Sequence, residues 1–339
     1  MSEATSTEPL VGQGRPASPL RSDRGAALLD RAPFLVATTM LTLLVLFYSA
    51  FRPGVFSLEE LNTDTAAALT LLLAATGQTI VLLRGGIDLS VGGVINLGTV
   101  LAATRFGDTA GSIALWAVVI VGIGGLTGVL NGLLISGLRL QPFLVTLASW
   151  SILSGCALMI LPTDGGHLPN AWMAFGTASV AGVSSSVLLL VVLGVLWLWW
   201  RVTPLGLAVR ATGSNERSAF LSGVSPLAIN LVTYGLSGAF AALAALYLTT
   251  QTGTGSPTIG KDYILPSVAA AVIGGVSLFG GRGGLMGTIV GAFILTIIGN
   301  LVFVLNVSSY WQPIASGVIL LLAVLASSVS EKSARKSLS

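Results

Sequence analysis

Apolar residues along this chain neither alternate nor form narrow stripes; they run on in long stretches broken by short polar segments. A helix that crosses a bilayer needs about 20 predominantly apolar residues. That length picks out ten segments: 33–51, 64–83, 88–104, 111–136, 142–161, 183–200, 226–250, 263–279, 285–305 and 310–329. A membrane β-barrel would show short alternating segments instead. The expected fold class is therefore all-α, a polytopic membrane helical bundle of about ten transmembrane helices. Four segments are the least regular. The second is flanked by polar residues, and the third opens at Asp88 and is broken by Gly92 and Gly93. The fifth carries Ser149, Ser151 and Ser154, and the eighth begins near Pro266.

Composition agrees with the pattern. Hydrophobic residues make up 53% of the 339 and charged residues 9%, where soluble domains carry about a quarter charged. Mean hydropathy is +0.90. One soluble core could not bury that much apolar surface, so lipid must cover part of it. The 42 glycines suit helices whose backbones approach closely in a bilayer. One cysteine, Cys156, and one histidine, His167, exclude an internal disulfide and a His/Cys metal cluster. Residues 1–32, rich in Ser, Thr, Pro, Gly and Arg, read as a disordered tail and not as a cleaved signal. Residues 33–329 read as the transmembrane domain and 330–339 as a second tail.

Orientation follows from Lys and Arg. With the N-terminus inside, 13 of the 16 basic residues fall on the cytoplasmic side. Arg52, Arg105 and Lys261 fall outside. The bias requires an even number of crossings, so both termini are expected in the cytoplasm. Trp197, Trp199 and Trp200 before Arg201 fit an interfacial aromatic belt. The acidic residues Glu59, Glu60, Asp64, Asp108, Asp164 and Asp262 are expected outside, either to solvate the loops or to meet a partner.

The chain offers little catalytic chemistry. A P-loop needs Gly-x-x-x-x-Gly-Lys followed by Ser or Thr; Gly255 to Lys261 comes near but continues with Asp262. It is rejected as a chance match, and no catalytic residue is assigned. Asp88 is the main acid near a span. Two roles are open to it: capping the third helix, with Arg84 as a pairing partner across the Gly85-Gly86 turn, or direct contact with substrate or ion. The second role would make the chain a secondary transporter driven by an ion gradient. A second glycine-rich turn, Gly274 to Gly284, echoes Gly85-Gly86. Neutral polar groups within the spans, Gln78, Asn96, Asn131, Thr146 and Ser149, are candidates either for a solute path or for helix–helix hydrogen bonds.

The longest cytoplasmic loop, 201–225, predicts a helix of about two turns over 215–222. Asn215 stands at the N-cap with Glu216 in the first turn, and Gly223 and Pro226 supply the stop. It carries Phe220 and Leu221 but is too short to be stable alone. It either lies on the lipid surface or docks into a partner's groove.

Several blocks together carry a family resemblance. They are Gly85-Gly-Ile-Asp-Leu-Ser-Val-Gly92 with Asn96; Asn131-Gly-Leu-Leu with Leu140-Gln-Pro-Phe-Leu-Val-Thr-Leu147; Gly213-Ser-Asn-Glu-Arg-Ser-Ala-Phe-Leu-Ser-Gly223; Ile273 to Gly284; and Ser308-Ser-Tyr-Trp-Gln312. The chain resembles the ribose/xylose/arabinose-type ABC sugar permeases. The resemblance implies a bacterial inner-membrane subunit that pairs with a second permease copy. It would bind a cytoplasmic ATPase and receive solute from a periplasmic or lipid-anchored binding protein. ATP and Mg would sit on the ATPase, with no cofactor on this chain and no nucleic-acid partner. By the same resemblance, Gly213, Asn215, Glu216, Arg217, Phe220 and Gly223 form the helix that couples to the ATPase. One departure bears on the solute. Many sugar permeases carry Glu-Leu-Asp after a glycine-aromatic pair before the eighth span, whereas this chain reads Tyr263-Ile264-Leu265-Pro266.

Overall fold

The structure, a computed structural model, describes residues 23–306 together with Ser308, Trp311, Ile314, Gly317 and Val318, with side chains from Phe34 onward. Twelve helices lie within it: α1 Asp23–Ser49, α2 Leu58–Arg84, α3 Ser90–Arg105, α4 Ala110–Gly137, α5 Pro142–Ile160, α6 Asn170–Thr177, α7 Ser185–Trp200, α8 Pro204–Ser214, α9 Glu216–Leu221, α10 Pro226–Thr252, α11 Lys261–Ile273 and α12 Leu285–Val304. A two-stranded hairpin, β1 Ser179–Val180 and β2 Val183–Ser184, sits between α6 and α7. The first helix starts at Asp23, ten residues before the apolar run. The tail expected over 1–32 otherwise falls outside the described residues, as do most of the tenth segment and the tail after it.

Five helices, α2, α4, α5, α10 and α12, are long and apolar enough to cross a membrane. The count reaches six if α7 and α8, bent by 74° at Arg201–Thr203, form one broken span. Two of the four irregular segments, the second and fifth, are thus full-length helices. The other two are short. At 1.5 Å per residue, α3 with 16 residues is about 24 Å long and α11 with 13 is about 20 Å. Neither covers a hydrocarbon core of about 30 Å unaided. Non-helical chain extends each: residues 85–89 before α3, where Gly86, Asp88 and Leu89 are buried, and the turn after Gly274 beyond α11, where Val276 is. Such backbone is tolerated at depth only where protein surrounds it. The sequence reading gave no element to the outer loop before α7, yet α6 and the hairpin form there.

The core is built on α2, α3, α10 and α11, whose facing sides are buried. Most of α4 and α5 is exposed apolar surface, as lipid-facing helices require. The seam between α4 and α10 shows why small residues are needed. A methyl group at Gly128 would overlap the Tyr234 carbonyl oxygen, and one at Gly132 would lie 2.6 Å from the Asn230 carbonyl oxygen. The two backbones touch directly, which maximises dispersion contact where lipid offers no hydrophobic drive. Among the described residues there are two ion pairs, one at each end of α2. Glu60 pairs with Arg52 at 2.7 Å, and Arg84 pairs with Glu216 at 2.8 Å. With 27 residues, α2 is about 40 Å long, so the two pairs lie at well-separated ends of the helix.

Candidate functional site: a polar hub and an exposed docking helix

α2 ends where Gly85 takes a left-handed conformation, φ 90°, which glycine alone adopts without penalty. The chain then turns inward from the exposed Gly85, and Asp88 sits in this break with 1% of its surface exposed. One carboxylate oxygen of Asp88 accepts the Ser90 N–H at 2.9 Å and the Ser90 hydroxyl at 2.5 Å. The other accepts the Ser237 hydroxyl from α10 at 2.7 Å. Gln78 of α2 lies against the Asp88 peptide. With its amide nitrogen on the Asp88 carbonyl, 3.1 Å, and its oxygen on the Asp88 N–H, 3.2 Å, both groups are satisfied. The network continues outward. Asn131 of α4 donates to the Ser90 hydroxyl at 3.0 Å, and Ser149 of α5 donates to the Asn131 amide oxygen at 2.5 Å. The network built on this residue thus joins five helices, α2, α3, α4, α5 and α10.

Arg84 is not the partner of Asp88 that spacing suggested. It reaches the other way, to Glu216, because the Gly85 turn sends the chain after α2 into the core while the Arg84 side chain stays at the helix end. Asp88 does accept an N–H at the start of α3, so the capping role holds in part. Most of its bonding is to hydroxyls that sequence reading did not single out. Ser90 lies inside the quoted glycine block and was within reach of inspection; Ser237, 149 residues away, left no local signal.

Asn96 anchors a second cluster. Its amide donates to the Ser154 hydroxyl of α5 at 2.9 Å, and its oxygen accepts the Gly260 N–H at 2.6 Å. Thr99, one turn on, donates to the Ser256 carbonyl at 2.9 Å. Together they hold the segment before α11 against α3. Thr146 is buried on α5 and bonds back to the Pro142 carbonyl of its own helix at 2.9 Å. The structure therefore brings together Gln78, Asp88, Asn131 and Ser149 and leaves Asn96 and Thr146 apart from them.

At the Arg84 end of α2, α8 and α9 form a corner. The Asn215 side chain accepts the Ser218 N–H at 2.9 Å, the N-cap expected from sequence. Gly223, φ 87°, ends the turn. Glu216 is tied to Arg84, and Arg217 points outward beside it with no ion pair among the described residues. A methyl at Gly213 would overlap the Leu83 carbonyl oxygen, which also accepts the Gly281 N–H at 2.8 Å. The two glycine-rich turns of the sequence meet here: a methyl at Gly85 would stand 3.6 Å from the Phe279 carbonyl oxygen. On the outer side of α9, Phe220 and Leu221 are 62% and 77% exposed. The helix is fixed on one face and bare on the other.

Comparison with known proteins decides the family. The model for the branched-chain amino acid transport system / permease component matches residues 61–324. The chain belongs to that permease family. Among similar proteins, the ribose import permease protein RbsC of Haemophilus influenzae is 33% identical over 310 residues, covering 89% of this chain and 94% of its own. That of Bacillus subtilis is 34% identical, over 84% of this chain and 89% of its own. The D-allose transport system permease protein AlsC of Escherichia coli is 30% identical, over 84% and 88%. No solved structure matches the chain significantly. The permease is accordingly a multi-pass membrane protein of the ABC transporter class.

Proposed function

We propose that this permease is the membrane-spanning subunit of a binding-protein-dependent importer and passes a sugar or sugar-like solute into the cytoplasm. ATP would be hydrolysed, with its Mg, on a separate ATPase subunit that grips α9. The names of the relatives, ribose and allose permeases, support the solute class. The observation that carries the reading is α9 itself: locked to α2 through Glu216 and Gly213, yet presenting Phe220 and Leu221 to the outside. An apolar pair on a rigid short helix is what a partner's groove recognises.

In this reading the bundle has about ten crossings, with both termini and α9 in the cytoplasm. A second permease copy and a solute-binding protein on the outer face complete the assembly. Movement of the ATPase displaces α9. The Arg84–Glu216 pair and the Gly213 seat pass that displacement to the end of α2, next to the Asp88 break. Because the Asp88 network joins five helices, they rock as a set and switch the path between outer and inner access. Of the five candidates Gln78, Asn96, Asn131, Thr146 and Ser149, Ser149 is the one that is not fully buried, and it stands nearest to the path.

The test is reconstitution. Liposomes holding the permease, its ATPase and a solute-loaded binding protein should hydrolyse ATP and take up sugar. A Glu216→Ala/Phe220→Ala double variant should lose solute-stimulated hydrolysis while remaining folded. Gradient-driven uptake by the permease alone would instead favour an ion-coupled transporter working through Asp88.

A further inference from the structure

The corner where α7 turns into α8 holds charge that ATPase docking leaves unused. α7 ends at Leu198-Trp199-Trp200, Arg201 follows, and the chain bends by 74°. Gly206 seats α8 against that end: a methyl there would overlap the Trp200 carbonyl oxygen and lie 3.2 Å from the Arg201 Cα. Arg210 stands one turn further along the same face of α8, near enough to Arg201 for the two charges to repel. Among the described residues neither guanidinium has an ion pair; those present use Arg52 and Arg84. Among the described residues, two buried N–H groups of this corner, Arg210 Nε and Trp200 Nε1, find no acceptor. The Trp200 ring is held in place by Trp197, with centroids 4.8 Å apart. Around the corner Leu198, Trp199, Val202 and Leu207 are exposed.

Like charges held together beside unsatisfied buried donors are unfavourable unless an anion with several acceptor oxygens joins them. A phosphate suits this need, because guanidinium groups bind it through paired hydrogen bonds. The exposed apolar side chains narrow the choice of source. A carboxylate from a docked protein, or free phosphate, would answer the charge and leave Trp199, Val202 and Leu207 in water. A lipid answers both, with its headgroup at the arginines and its chains beside the tryptophan belt. We propose that Arg201 and Arg210 form a binding site for the phosphate headgroup of an anionic lipid in the leaflet on the α9 side. The site requires neither the ATPase nor the transported solute, so it stands or falls apart from the importer reading.

Native mass spectrometry of the full chain, purified in detergent with equimolar phosphatidylglycerol and phosphatidylcholine, tests the site. The wild type should retain phosphatidylglycerol in preference. Arg201→Gln/Arg210→Gln should weaken that retention about fivefold per arginine, about 25-fold for the pair. Arg201→Gln alone, at an exposed position, should weaken retention about fivefold and carries the test if the double variant misfolds. Arg139→Gln, a basic residue after α4, should change nothing. Equal retention of the two lipids would overturn the proposal. So would equal losses in the Arg139 variant, which would mean a diffuse field, or displacement of the lipid by equimolar inorganic phosphate, which would mean a free-anion site.

Discussion

Two carboxylates stand close to the same end of α2 and live in opposite surroundings. Asp88 is sealed in the break after the helix, where four groups from three helices, α2, α3 and α10, bond to it. Glu216 lies across the Gly85 turn, its side chain 57% exposed, and pairs with Arg84, which is 13% exposed. The first is a buried acceptor whose bonds hold helices together. The second is a surface link whose contribution to stability is small and whose value lies in what it connects. The contrast separates residues that keep the bundle intact from residues that let it be moved, and variants can be ordered along that line.

The largest loss of stability is expected for Asp88→Ala. It leaves the Ser90 N–H and the Ser90 and Ser237 hydroxyls without their acceptor. At about 1–3 kcal/mol for each stranded group, destabilisation should reach about 3 kcal/mol or more in thermal unfolding of the detergent-solubilised chain. Asp88→Asn keeps an acceptor oxygen and should cost about 1 kcal/mol. An Asn variant that is fully stable yet dead in transport would move Asp88 from hub to solute or ion ligand. Gly213→Ala comes next. Overpacking against Leu83 should cost about 1–3 kcal/mol and displace α9, so both unfolding and ATPase stimulation should report it.

Smaller effects on stability should accompany larger effects on coupling. Arg84→Glu and Glu216→Arg should each shift stability by about 1 kcal/mol or less while abolishing solute-stimulated ATP hydrolysis. The double exchange should restore it; no recovery would mean that the pair only holds the corner in place. Phe220→Ala, at an exposed site, should change stability by no more than about 0.5 kcal/mol. Its deficit should appear only in co-purification of the ATPase. A stability loss as large as that at Asp88 would show that α9 is part of the core and not a docking surface.

The hydrophobic pattern located nine of the ten segments on helices that are observed, because covering a bilayer imposes a length and a polarity on each segment alone. It ran the eighth segment on to 279, whereas α11 ends at Ile273 and a glycine-rich turn follows, a stop that depends on neighbours. Asn215 as N-cap and Gly223 as stop were legible, since capping is settled within a few residues. The partner of Arg84 was not. Spacing offered Asp88 four residues away, but a left-handed glycine between them turned the two side chains to different places.

By itself, the amino-acid order determined a helical membrane bundle, the approximate positions of most of its helices and the short capped helix after Ser214, because those features rest on solvation and local hydrogen bonding. Tertiary structure alone decided that Ser90, Asn131, Ser149 and Ser237 gather around Asp88. It alone decided that two distant glycine turns meet at Gly213 and that two arginines without carboxylate partners share the α7–α8 corner. Those juxtapositions arise from segments packed across gaps of up to 198 residues, as between Leu83 and Gly281, and no local preference encodes which of many polar groups will meet.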